Sequence, residues 1–141
     1  MADLFSGLGT FAFALAGKVP AITAAEASRD AVLACGAAAK RAGVKLEALH
    51  RDLFRSPLRP EELARFDGVV IDPPRAGARA QIEQLAASNV ARIAYVSCNP
   101  SSWCRDAALL VAAGYRLVEL RPVGQFRWST HVELASLFLK N

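Results

Sequence analysis

Short apolar segments alternate along this chain with longer segments whose apolar residues recur at helical spacing. The predicted strands cover the end of residues 1–5 and residues 21–25, 44–49, 67–71 and 91–97, and the predicted helices begin at about Thr10 and cover residues 28–42, 78–87 and 101–113. Regular alternation of strands and helices is typical of a mainly parallel sheet with helices on both faces. The pattern therefore predicts the α/β class.

The end of the chain departs from this alternation. Residues 115–121 and 131–139 are two successive strand-type segments without a helix between them, which predicts an antiparallel hairpin at one edge of the sheet. No linker or low-complexity segment interrupts the pattern. We therefore expect one domain over residues 1–141.

Composition narrows the class of protein. A hydrophobic content of 53% with 21% charged residues is typical of a globular domain. The three cysteines are an odd number without a C-x-x-C pair, and the chain has only two histidines, so neither a disulfide framework nor a structural zinc site is expected. Free thiols are typical of a reducing compartment, which predicts a cytoplasmic location.

The net charge and the N-terminal segment say less about the function of the protein than its composition does. The net charge of +4, from 17 basic against 13 acidic residues, is compatible with binding a polyanion but does not require one. No apolar stretch reaches the roughly 20 residues that a spanning helix needs, so no membrane partner is expected. The first segment carries Asp3 where a signal peptide has positive charge, which argues against secretion.

A glycine-rich segment, DLFSGLGTF, follows the first predicted strand. Gly7 and Gly9 predict a tight turn into a helix at Thr10, where backbone N–H groups are free to bind a ligand. Glu26 lies 17 residues after Gly9, behind the second predicted strand, where an acid can bind ribose hydroxyls. Asp52, behind the third, can accept from an adenine amino group or cap a turn. Together they predict a nucleotide-like cofactor.

Two further motifs follow the fourth and fifth predicted strands. In DPPRAG, two prolines hold Asp72 at a rigid strand exit, and in YVSCNP the strand ends at Cys98. A helix that begins near Ser101 directs its dipole toward that thiol, an arrangement typical of reactive cysteines. Cys35 and Cys104 lie inside predicted helices, and we expect both to be packed.

These motifs, in this order and with the final HVELASLF, resemble the RNA (uracil-5-)-methyltransferase family. The resemblance implies a Rossmann-like class I methyltransferase fold, S-adenosyl-L-methionine as cofactor, and rRNA or tRNA as partner, without a metal in this chain. It implies that Cys98 attacks a uridine base and that Glu133 is the base that removes a proton. The residues that it assigns to the cofactor site are Phe5, Gly7, Gly9, Thr10, Glu26, Asp52 and Asp72.

The chain also departs from the family. Residues 124–129 read GQFRWS, whereas family members typically carry DMFPHT before the motif of the base. We also expect the family's N-terminal RNA-binding region to be absent. Alternation alone favours Glu133 as a solvent-facing residue of an edge strand, and it is the resemblance that reverses this interpretation.

Three other functions stay open on the sequence. A nicotinamide-dependent oxidoreductase would use the glycine loop and Glu26, but it gives no role to DPPRAG or to a thiol at the end of a strand. An enzyme that methylates amino groups of nucleic acids would use Asp-Pro-Pro, but it usually has an aromatic residue where this chain has Arg75. The third is a cofactor-binding fold without activity.

Overall fold

Seven strands and five helices are found in the part of the chain that the computed structural model describes, which is residues 1–124, Trp128 and residues 131–140. The strands are β1 (Ala2–Leu4), β2 (Ile22–Glu26), β3 (Leu46–His50), β4 (Gly68–Ile71), β5 (Arg92–Ser97), β6 (Tyr115–Val123) and β7 (Glu133–Lys140). The helices are α1 (Thr10–Leu15), α2 (Arg29–Ala42), α3 (Pro60–Leu63), α4 (Arg79–Ala86) and α5 (Pro100–Ala112).

The strands form one mixed sheet in the order β3-β2-β1-β4-β5-β7-β6. Strands β1 to β5 pair in parallel, and β7 runs antiparallel to both β5 and β6. The predicted α/β class and the antiparallel C-terminal edge hairpin are therefore confirmed. From β1 the strand order runs to β2 and β3 on one side and to β4 and β5 on the other, so the order switches between β1 and β4. In such sheets ligands bind near the switch point, at the carboxyl ends of the strands.

Local signals in the sequence explain where the longer helices begin and end. The side chain of Ser28 accepts a hydrogen bond from the N–H of Ala31 and caps the start of α2, and Gly43 closes that helix. The side chain of Asn99 accepts from the N–H of Ser101 and caps α5, whose first residue is Pro100. The predicted boundaries of both helices are within one residue of the observed ones.

Helices cover both faces of the sheet. On one face, Ile22 and Ala24 of β2 pack against Ala12 of α1 and Cys35 of α2. The other face buries a larger cluster, in which each fully buried aliphatic or aromatic side chain contributes roughly 1.5–3 kcal/mol. Its largest fully buried members include Leu4, Ile71, Ile82, Leu85, Ile93, Tyr95, Leu110 and Phe138. The expectation of helices on both faces is confirmed.

Three details differ from the sequence predictions. Helix α3 was not predicted, because a single turn is too short to show periodicity. Glu26 is the last residue of β2 and does not follow that strand. The prediction that Cys104 is packed is wrong, because α5 buries Trp103, Ala107 and Leu110 and leaves Cys104 exposed. Cys35 is buried, as expected.

In the described residues, no helix combines the length and the apolar character that crossing a membrane requires.

Candidate functional site

The carboxyl ends of the central strands meet along one edge of the sheet and bring most of the predicted site residues together. Leu4 of β1 pairs with Ala25 of β2 and with Ile71 of β4, so the residues that follow lie side by side. These are Phe5 and Asp72, beside Glu26, and the N–H of Asp72 donates to the carbonyl of Leu4 at 3.2 Å.

The glycine loop between β1 and α1 has an unusual backbone. Phe5 has a φ of 60°, which is uncommon for a residue with a side chain, and residues with such strained backbone cluster at functional sites. Gly9 has a φ of +90°, and a Cβ atom there would lie 2.8 Å from the Sγ atom of Cys35. Only glycine therefore fits at this position. Thr10 begins α1 next to it and is exposed.

Glu26 connects this loop to the next turn. Its Oε2 accepts from the N–H of Gly7 at 3.0 Å, and its Oε1 accepts from the N–H of Ser28 at 2.8 Å. Each carboxylate oxygen can accept a second hydrogen bond. Glu26 therefore holds the loop in place and keeps acceptor capacity for two hydroxyl groups.

Asp3 is a site residue that the sequence analysis did not single out as a ligand. Its carboxylate is fully buried, Oδ2 accepts from the N–H of Ala12 at 2.9 Å, and Oδ1 has no partner among the described residues. Burial raises the pKa of Asp3 to about 6, against the lowering effect of the Ala12 bond, and the charge of Asp72 adds to the increase. An acid inside the otherwise apolar strand β1 was the signal that could have revealed it.

A cleft of about 350 Å³ opens beside the glycine loop. Phe54 on its wall was also missed; its ring centroid lies 5.2 Å from that of Phe5, at an interplanar angle of 56°. The lining residues are Phe5, Glu26, Ala27, Leu53, Phe54, Asp72, Pro73 and Pro74. This wall combines apolar rings with carboxylates.

Asp52 lies behind β3 and has the turn role that its sequence position also allowed. Its Oδ1 accepts from the N–H groups of Phe54 and Arg55, at 3.0 and 3.2 Å. It thereby fixes the turn that carries Phe54 into the wall of the cleft. A contact between Asp52 and an adenine amino group stays a prediction.

Asp72, Cys98 and Glu133 lie at the ends of three neighbouring strands, β4, β5 and β7. Ser97 of β5 pairs with Leu134 of β7, so Cys98 and Glu133 lie at the same level where the two strands separate. Burial, and after it the charge of Glu133, raise the pKa of Asp72. The carboxylates of Asp72 and Glu133 therefore interact electrostatically.

Cys98 is the cysteine at this edge of the sheet. It is half-buried, whereas Cys35 is buried under Gly9, and Cys104 is exposed on α5. The segment of residues 124–129 that departs from the family is described only at Gly124 and Trp128; Gln125, Phe126, Arg127 and Ser129 lie outside the described residues. Within the described ranges, no group of three or more His, Cys, Asp or Glu residues could hold a metal ion.

Comparison with known proteins decides the family. A family model for tRNA (uracil-5-)-methyltransferases matches residues 47–141. The chain belongs to this family. An uncharacterized RNA methyltransferase of Zymomonas mobilis is 54% identical over 140 residues, and a 23S rRNA (uracil(1939)-C(5))-methyltransferase of Hahella chejuensis is 35% identical over 144 residues.

A solved structure agrees with this assignment. The tRNA (uracil-54, C5)-methyltransferase of Pyrococcus abyssi, in complex with S-adenosyl-L-homocysteine, superimposes on 98% of the chain with a TM-score of 0.84 and 28% identity. The methyltransferase fold implied by the resemblance is confirmed. The chain spans about a third of each protein: 35% of the Zymomonas relative, 32% of the Hahella relative and 33% of the Pyrococcus chain.

Proposed function

We propose that this chain is the catalytic part of an RNA methyltransferase that transfers a methyl group from S-adenosyl-L-methionine to C5 of a uridine. One observation carries the proposal. Cys98 follows β5 at the same edge of the sheet as the glycine loop that Glu26 holds, level with Glu133, and Asp72 follows the neighbouring strand β4. A cofactor-binding loop and a nucleophile with neighbouring carboxylates are the parts that this reaction needs.

The residues of the cleft fit the cofactor. S-adenosyl-L-methionine carries a sulfonium and an ammonium group, and Asp3, Glu26 and Asp72 make this end of the sheet acidic. No atom lies within 4 Å of the position that a Cβ would take at Gly7, so a ligand has room against that backbone. The bound cofactor would supply an electrophilic methyl group. We assign its binding to Phe5, Gly7, Gly9, Thr10, Glu26, Asp52 and Asp72.

Cys98 supplies the activation that uracil requires. The thiolate Sγ forms a bond to C6, and the electrons of the C5=C6 bond move to give an enolate. C5 thereby becomes nucleophilic enough to take the methyl group. Glu133 then removes the proton from C5, the C5=C6 bond forms again, and the C6–S bond breaks to release the thiolate.

The partner is RNA whose target base has left the stack, because a stacked base cannot reach a thiol at the end of a strand. The names of the relatives include both 23S rRNA and tRNA. The net charge of +4 is mild, so we expect this chain alone to bind RNA weakly and with a steep dependence on salt. Such substrates are cytoplasmic, where Cys98 stays reduced.

A titration with S-adenosylhomocysteine and with NAD, followed by incubation with methyl-labelled S-adenosylmethionine and a uridine-containing RNA, tests the proposal. We expect binding of S-adenosylhomocysteine but not NAD, and label in 5-methyluridine. Binding of NAD alone would favour an oxidoreductase. Binding of S-adenosylhomocysteine without transfer of label would favour the third alternative, a cofactor-binding fold without activity.

A further inference from the structure

Helix α5 buries a carboxylate in its apolar stripe. Asp106 is completely buried beside Trp103 and Ala107, which pack into the core. Its Oδ2 accepts from the N–H of Ala78 and from the hydroxyl of Tyr95, both at 2.8 Å. Its Oδ1 accepts from Nε of Arg105 at 2.9 Å. The carboxylate of Asp106 therefore joins the backbone of Ala78, the side chain of Tyr95 and the side chain of Arg105.

The donors come from both segments that lead into the reactive edge. Ala78 ends the loop that begins at Asp72, and Tyr95 lies on β5 three residues before Cys98. The side chain of Asp106 therefore connects the two segments directly. Each segment carries one residue of the candidate site, Asp72 or Cys98, and neither of these side chains is itself bound by Asp106.

The Asp72 loop is pressed closely against α5. Gly77 has a φ of +80°, and a Cβ atom there would lie 2.6 Å from both Nη2 of Arg105 and Oδ2 of Asp106. Nη2 of Arg105 also donates to the carbonyl of Ala76 at 3.0 Å. The close approach requires glycine at this position, and it leaves the loop little freedom to shift along the helix.

The start of α5 adds a second attachment. Nδ2 of Asn99 donates to the carbonyl of Arg75 at 2.9 Å, and Oγ of Ser102 donates to the same carbonyl at 3.2 Å. Asn99 directly follows Cys98. The loop is thus bound by α5 near Cys98 and again at Asp106, two turns further along the helix.

We propose that Asp106 is a positioning residue that sets the distance between the Asp72 carboxylate and the Cys98 thiol. It acts through Ala78 and Tyr95 and does not contact the reacting atoms. The inference rests on the proposed function for its kinetic consequence. Small misplacements of reacting groups can cost about a hundredfold in rate, so the connection matters for catalysis as well as for folding.

The test compares Asp106→Asn with Gln81→Met as a matched control. Gln81 is also completely buried, and it makes two hydrogen bonds to the backbone of Leu58, at 2.8 and 3.1 Å, which involve neither residues 72–78 nor residues 95–98. With 5-fluorouridine RNA and saturating S-adenosylmethionine, we expect Asp106→Asn to slow formation of the covalent complex about 10- to 100-fold. Gln81→Met should stay within about twofold of wild type after correction for the folded fraction.

Amide hydrogen exchange gives a readout that does not depend on activity. Asp106→Asn should raise exchange both in residues 73–78 and in residues 95–99, whereas Gln81→Met should raise it around residues 58 and 81 only. A wild-type chain that forms no complex would contradict the proposed function, and exchange would still decide the positioning role. That role is overturned if Asp106→Asn reacts as fast as Gln81→Met, or if its exchange rises in only one of the two segments.

Discussion

The two halves of the candidate site hold their carboxylates in different ways. In the cofactor half, around β1 and β2, the acids bind backbone directly: Glu26 accepts from Gly7 and Ser28, and Asp3 accepts from Ala12. In the thiol half, around β4 and β5, Asp72 and Cys98 make no side-chain hydrogen bond to any residue within the described ranges. Their loops are held by other side chains, of which Asp106 is the most buried.

The difference indicates what each half must do. A binding surface gains affinity when its acceptors are already oriented, so fixing Glu26 on the backbone is useful. The nucleophile Cys98 must form and break a bond during the proposed reaction, so strong hydrogen bonds between its thiol and the protein would oppose that change. The thiol half is therefore ordered by residues next to the reactive groups.

The largest expected effect is the slower product release of the Glu133→Gln variant. Glu133→Gln keeps the size of the side chain but cannot take a proton, and general bases contribute about 10²- to 10⁴-fold. Release should slow by this factor, while attack and methyl transfer proceed. With ordinary uridine RNA, a methylated covalent complex should accumulate, as measured on a denaturing gel and by mass spectrometry.

Glu119→Gln is the control, because Glu119 lies on the adjacent strand β6, where it pairs with Arg121 at the surface. It should release product at the wild-type rate. If Glu133→Gln also turns over normally, Glu133 is not the base and Asp72 becomes the candidate. If it forms no complex, Glu133 acts before methyl transfer.

The next effect concerns the buried acid of the cofactor half. The pKa of Asp3 is about 6 in the folded chain and 3.8 ordinarily, so from about pH 4 to pH 6 the folded chain binds a proton that the unfolded chain has released. The free energy of unfolding therefore falls as pH rises through this window. At 1.36 kcal/mol per pKa unit, the loss is on the order of 3 kcal/mol.

Asp3→Asn cannot ionise and should lose this dependence. Its free energy of unfolding, measured by urea denaturation relative to wild type, should rise by on the order of 3 kcal/mol between about pH 3.5 and pH 7. Asp67→Asn, at an exposed aspartate just before β4, is the control and should change little. A parallel pH profile for Asp3→Asn and wild type would contradict the account of this residue.

The smallest of the three effects is on cofactor affinity. Glu26→Ala removes an acceptor for two hydroxyls and the anchor of Gly7, and hydrogen bonds to charged groups contribute roughly 1.5–3 kcal/mol. The dissociation constant of S-adenosylhomocysteine should rise about 10- to 100-fold in calorimetry. Glu47→Ala, on the next strand and bonded to Thr23 and Arg65, should leave it unchanged. Equal affinities would remove Glu26 from the site.

Much of this architecture could be predicted from the sequence, because its signals are local. Helix ends are marked by the glycines after α2 and α5, and the start of α5 is marked by its capping residue Asn99. The absence of a helix between the last two strands indicates the hairpin. Helix α3 escaped prediction because one turn carries no period. The resemblance led to Cys98 and Glu133, and the pairing of Ser97 with Leu134 shows how these distant positions meet.

The supporting residues were harder to predict, because their importance depends on tertiary contacts. Asp106 falls on the same helical stripe as Trp103 and Leu110, so a polar residue at a core position was visible in the sequence. Its partners, Ala78 and Tyr95, could not be inferred without the packing of the loop on α5. The same stripe, read in full, would have placed Cys104 outside the core.

The location of the covalent bond tests the central claim most directly. In 5-fluorouridine, fluorine replaces the proton that must leave, so a methylated complex cannot break down after the methyl group has been transferred. The account predicts that mass spectrometry of a digest finds the methylated nucleotide on Cys98 and that Cys98→Ser forms no complex, whereas Cys35→Ser and Cys104→Ser still do. A bond on Cys35 or Cys104, or a complex that persists in Cys98→Ser, would contradict it.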